Sequence, residues 1–177
     1  MNDDPRYPVG PFEAPPGPLP EAARQGLIGE MKAAPAALRA AFSGLNPAQI
    51  DTAYRPGGWT LRQVAHHVAD SHLNAYLRFR LPLTEDKPTI KTYAEARWAE
   101  LSDAKAAPVE LSLDLLDALH RRMVLLLENL PAPDWSRSLS HPDHGLVNLE
   151  WVLAMYAWHG RHHTGHVTSL RRRMGWA

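Results

Sequence analysis

The chain has 177 residues, enough to bury one hydrophobic core and a tight fit for two. Its 19 basic and 19 acidic side chains cancel, so no global field favours nucleic acid or an anionic membrane. Cysteine is absent, which excludes disulfides and thiolate metal ligation and leaves histidine as the soft ligand available.

Residues 1–20, MNDDPRYPVGPFEAPPGPLP, hold seven prolines. Each removes a backbone donor and pushes its predecessor toward extended geometry, so an extended N-terminal arm is expected, draped over the domain through Tyr7, Val9 and Phe12. The segment is acidic and Pro-rich where an export signal is basic and then apolar, and no apolar run approaches the ~20 residues that span a bilayer. The expectation is a soluble, cytoplasmic protein that engages neither membrane nor nucleic acid. Residues 21–177 read as a single helical domain.

The first helix is expected over about 21–45, with Leu27, Met31, Leu38 and Phe42 on its apolar side and a kink or break at Pro35. The second starts at Thr60 in GGWTLRQVAHHVAD: Thr60 can accept from the backbone, Gln63 can reach back, and Trp59 can staple from outside. A crossover of about 25 residues, Thr84 to Pro108, follows, with a short helix over Tyr93–Leu101. The third helix, about 110–130, repeats Val109, Leu113, Leu116, Met123, Leu127 and Leu130 at alternating spacing of three and four, and Pro131 and Pro133 close it. After the turn-rich SLSHPDHGL comes the fourth, about 148–174, ending on Arg171, Arg172 and Arg173 before Gly175. No segment carries a strand signal. The fold class is all-α, a four-helix bundle with a long crossover.

The fourth helix contains WHGRHHTGHV, four histidines in eight positions. At about 100° per residue, His163 and His166 fall about +40° and −20° from His159, within the apolar stripe, while His162 at about −60° lies on its edge. On the second helix, Gln63, Asp70, Ser71, Asn74 and Arg78 gather within about 60° of His67, and apolar residues flank them on both sides. A polar stripe between two buried flanks suits a lined cavity. His66 and His72 project away from it, and His72 is expected to be exposed.

Histidines at i and i+4 can share an ion, and a third from a neighbouring helix completes a facial set with one position open for water, the arrangement of catalytic zinc. Two such pairs exist, His159 with His163 and His162 with His166. The other reading is three hydrogen-bonded core histidines. Position 160 is glycine, so the HExxH pattern of metalloproteases is absent.

GGWTLRQVAHHVADSHLNAYLRFRLPLTE and YAWHGRHHTGHVTSLRRRMGW, with the YPVG arm, the YRPGGWT cap and the SHPDHG loop, closely resemble the YfiT-like proteins, inferred metal-dependent hydrolases of the DinB-like four-helix-bundle superfamily. The resemblance implies a cytoplasmic homodimer holding one divalent ion per chain, zinc first and nickel second, on His67, His159 and His163. It implies a hydrolase acting on a small molecule. The superfamily also resembles low-molecular-weight thiol transferases, bacillithiol transferase among them, and here the thiol would have to be brought in. A third reading is a non-enzymatic metal-binding bundle closed by His166 or His120.

Around that centre, Asp70 is a candidate to accept a proton or orient an imidazole, with a structural hydrogen bond as its plainer role. Asn74 and Arg78 are candidates for a polar substrate head. His120 is expected to be a packed, hydrogen-bonded ring, and His141 and His144 to face solvent or rim the pocket. Trp59 is expected to staple, Trp158 to flank the fourth helix, and Trp176 to tuck the C-terminus down. No basic interleaving accompanies the aromatic residues, so no nucleic-acid platform is expected.

Overall fold

The computed structural model describes residues 4–176. Four long helices make the bundle: α1 (Glu21–Phe42), α3 (Leu61–Thr84), α6 (Val109–Glu128) and α7 (Leu149–Met174). Shorter pieces lie between them: α2 (Pro47–Ile50), α4 (Glu95–Trp98), α5 (Ser102–Ala106), and the strands β1 (Ser138–His141) and β2 (Gly145–Asn148). α1 packs on α6 and α7, and α3 packs on the same two, so α1 and α3 face each other across one diagonal of the bundle and α6 and α7 across the other.

Two apolar clusters fill the interior. One joins Leu38, Phe42, Leu61, Val68, Leu116 and Leu170 near the start of α3; the other joins Met31, Phe79, Met123, Leu153 and Tyr156 toward the opposite end. The expected stripe of α6 is buried at Val109, Leu113, Leu116, Met123 and Leu127. Trp176 packs against the first cluster.

Local chemistry sets the helix ends. Thr60 caps α3 by accepting from the Gln63 N–H at 3.2 Å, while the Gln63 side chain accepts from the Thr60 N–H at 2.9 Å. Asn148 accepts from the Trp151 N–H to start α7, and Gly175 ends it in the left-handed region at φ 65°. α1 runs through Pro35 without a break, and Pro35 is buried.

Three features differ from expectation. The crossover carries two short helices, α4 and α5, in place of one. α2 lies between the first two expected helices, where the sequence predicts no helix; Asn46, Pro47 and Gln49 give it a capping box and a proline at its first turn. β1 and β2 form an antiparallel hairpin in the register Ser138↔Asn148 to His141↔Gly145, its three-residue turn closed by Gly145 at φ 70°. Each strand is four residues, too short for alternation to register, but Leu139 and Val147 pair inward. Ile90 of the crossover donates to the Ser140 carbonyl and the Ser140 N–H to Pro88, which ties the crossover to the hairpin.

The arm lies along α7. The Trp158 indole donates to the Gly10 carbonyl at 3.1 Å, and Phe12 meets Trp151 edge-on at 5.5 Å. Gly165 permits the approach, since a Cβ there would stand 3.0 Å from Pro8. Phe12 is half-buried, and Tyr7 and Val9, 41 % and 45 % exposed, stand beside His162 and Gly165 of α7. No helix among the described residues is long and apolar enough to cross a membrane.

Candidate metal centre

Where α3 meets α7, His67, His159 and His163 each bring one ring nitrogen within 4.8 Å of the others. The ring centres are 4.4 Å apart for His159 and His163, 4.8 Å for His67 and His163, and 5.3 Å for His67 and His159. The reason is the one read from spacing: one helical turn on α7 stacks two imidazoles on the same side, and α3 faces that side with His67. Trp59, at the start of α3, packs on the His67 ring at 4.6 Å.

All three rings are held neutral. Burial pushes the His67 pKa down to about 4, and burial followed by neighbouring imidazoles drives His159 and His163 well below the ordinary histidine value. A neutral imidazole offers a lone pair without first losing a proton, so the donor set suits a divalent ion at neutral pH. His67 is 6 % exposed, yet among the described residues neither of its ring nitrogens has a hydrogen-bond partner. Its nitrogens are not sealed in the core, since the ring lines a cavity, and they are open there to an incoming ligand. The residues present fit a metal.

The cluster forms part of the wall of a cavity of about 430 Å³. Ser71, Arg78, Tyr156 and Trp158 also line it, and His141 and His144 reach it from the hairpin turn. His141 is buried and His144 exposed. Arg78 donates to the Tyr156 hydroxyl at 2.8 Å inside this wall. A guanidinium paired with a buried hydroxyl forms a ready anchor for an anionic or strongly polar group.

The other sequence candidates fall elsewhere. Asn74 donates to the Asp70 backbone carbonyl and lines a neighbouring cavity that shares Arg78, Thr92 and Tyr93 with the first. Asp70 lines neither cavity; it is half-buried, and burial with the charge of Asp103 raises its pKa to about 6. His66 is buried against Ser112 and the Ala107 carbonyl. His120 is a packed, hydrogen-bonded ring away from the cluster, which removes it as a closing ligand. A second grouping, His162, His163 and His166, shares His163 with the first.

His72 corrects the expectation of exposure: its relative exposure is 0 %. The projection placed it away from the cavity, about 140° from His67, but that sector faces the core between α3, α6 and α7. The signal was present in the sequence. Val68, Ala75 and Phe79, at positions −4, +3 and +7 from His72, are all buried, so the ring sits on their stripe. Tyr156 was missed because a tyrosine on an apolar stripe reads as packing until the cavity beside it is visible.

Fold and site together define a four-helix bundle with a histidine-lined metal pocket, and the DinB superfamily model matches residues 30–167. The chain belongs to that superfamily. It is 51% identical over 176 residues, 99% of this chain and 100% of the relative, to a Bacillus cereus protein whose name gives metal-dependent hydrolysis as its inferred activity. A Bacillus anthracis protein whose name gives the same activity is 50% identical over the same span. YfiT from Bacillus subtilis, described as an inferred metal-dependent hydrolase with an unusual four-helix-bundle topology, superposes with a TM-score of 0.95 at 43% identity, covering 98% of this chain and 99% of that one. The four-helix bundle TT2238 shares the fold at a TM-score of 0.57 and 24% identity, over 84% of this chain and 98% of its own.

Proposed function

We propose that the protein is a metal-dependent hydrolase that holds one divalent ion, zinc or alternatively nickel, on His67, His159 and His163. The observation that carries this reading is the convergence of three neutral imidazoles on the wall of a cavity with room for a small substrate. The names of the full-length relatives point the same way. An ion on such a set supplies Lewis acidity toward a carbonyl and lowers the pKa of a water toward about 7. Three neutral ligands leave the ion its full charge for that task.

The chain's own contribution is to bind and orient. Arg78, steadied by Tyr156, anchors the polar head of the substrate, and the indoles of Trp59 and Trp158 wall the apolar remainder. Asp70 and Asn74 do not line this cavity, so substrate contact falls to Arg78. A homodimer belongs to the same proposal, supported by exposed leucines on α3 (Leu73, Leu77) and α6 (Leu111, Leu115, Leu125), and sedimentation velocity checks it.

The test is a panel of small ester and amide substrates assayed with zinc- and nickel-loaded protein beside His67→Ala. Hydrolysis that disappears in the variant supports the reading. Rates equal in both, or turnover of an electrophile such as monochlorobimane only when a small thiol is added, would overturn it, the second outcome in favour of thiol transfer.

A further inference from the structure

Pro35 lies inside α1 and has no N–H, so the carbonyl of Met31, four residues earlier, lacks its helical donor. His120 of α6 supplies one: its Nδ1 stands 2.6 Å from the Met31 oxygen. A carbonyl oxygen only accepts, so the His120 proton is on Nδ1, and a neutral ring then offers a lone pair at Nε2. That Nε2 is 2.8 Å from His72 Nδ1, which therefore carries a proton and leaves His72 Nε2 as an acceptor. His159 Nδ1, 3.2 Å from His72 Nε2, has to donate. The single lone pair of His159 is thereby left on Nε2.

A shorter chain repeats the logic beside it. His166 Nε2 lies 3.2 Å from the carbonyl of Arg6 in the arm, which fixes a proton on Nε2 and a lone pair on Nδ1. His163 Nδ1 is 3.2 Å from that lone pair and donates to it. His163, like His159, is left with one lone pair, on Nε2.

We propose that these two buried chains, Met31 C=O to His120 to His72 to His159 and Arg6 C=O to His166 to His163, lock both α7 imidazoles in the Nδ1–H tautomer and present their Nε2 lone pairs to the divalent ion. The proposal rests on the metal reading of the site and goes beyond it, making His72, His120 and His166 positioning residues. It also explains why a proline interrupts the hydrogen bonding of α1 and why so polar a file of rings is buried. His162, His163 and His166 are excluded as a rival ion site, because both nitrogens of His166 are already committed.

The test has two parts. Long-range 1H–15N correlation spectra of the metal-free wild type report each ring's tautomer, and protons on Nδ1 of His72, His120, His159 and His163 and on Nε2 of His166 are expected. A proton on Nε2 of His159 or of His163 overturns the proposal whatever the metal does. Chelator-competition titrations with zinc then compare variants. His72→Met should lower zinc affinity about 10- to 100-fold, the range for lost supports of ligating histidines, whereas His72→Gln, whose amide oxygen can accept from His159, should recover most of it. Wild-type affinity in His72→Met would overturn the positioning role. Should the wild type bind no zinc while its tautomers are as assigned, the metal reading fails and the hydrogen-bonded chains stand, so the two failures are distinguishable. The spectra need only the wild type, which keeps the proposal testable if His72→Met does not fold.

Discussion

Glu150 sits at the start of α7 with its side chain 6 % exposed, and it holds the end of the arm in place. One carboxylate oxygen accepts from the Leu19 N–H and the other from Arg24, which also donates to the Leu19 carbonyl. Removing one member of a buried pair strands the other. Glu150→Ala is therefore expected to cost about 3 kcal/mol, the lower end of the range for broken buried pairs because Arg24 keeps some contact with water. Urea denaturation reads this directly; a midpoint unchanged from wild type would show that the pair does not hold the arm's end. At this scale the clustering of His67, His159 and His163 was legible in the sequence, because i,i+4 spacing and a polar stripe on a second helix are matters of angle. His72 was not, because an angle gives a direction and not what lies there.

The ends of the elements were as legible as their chemistry was local. Thr60 and Gln63 formed the expected box, and it fixes where α3 begins, six residues before His67. Thr60→Ala should lower stability by about 1 kcal/mol, the usual cost of losing such a cap, and leave metal content unchanged, since no ligand is touched. A loss of metal in that variant would mean that the cap also sets the rotation of α3. The hairpin escaped because it is defined by its partners. β1 and β2 exist because Leu139 and Val147 face the core together and because the crossover bonds to Ser140, and neither relation shows in a four-residue window. Pro35 predicts a kink or a break, and α1 runs on through it; the tertiary bond from His120 to Met31 explains how the helix tolerates it.

The whole molecule carries its polar interior as a reserve of uncharged rings. Nine of its ten histidines have pKa values lowered, with burial the largest cause in each, and those of His67, His162 and His166 fall to about 4. A lowered pKa in the folded state means that the unfolded chain takes up protons first. The stability these rings contribute is thus present above about pH 6.5 and is lost as pH falls toward about 4. Asp70, raised to about 6, acts oppositely, favouring the fold below its unfolded value and losing that contribution as pH rises through 6. One carboxylate is outnumbered. Metal-free protein should lose stability on acidification from about pH 6.5 to about pH 4.5 more steeply than the ~1.4 kcal/mol per pH unit of a single proton. Denaturation curves across that window that stay flat would mean the rings are solvated rather than buried.

The central claim, that three histidines hold one ion, is tested most directly by metal content. Protein purified without an affinity tag, loaded with zinc or nickel and freed of excess, is analysed by inductively coupled plasma mass spectrometry, beside His67→Ala, His159→Ala and His163→Ala. One ion per chain in the wild type and none in each variant is the result predicted. A wild type that takes up neither metal, or any of the three variants that retains a full equivalent, would contradict it.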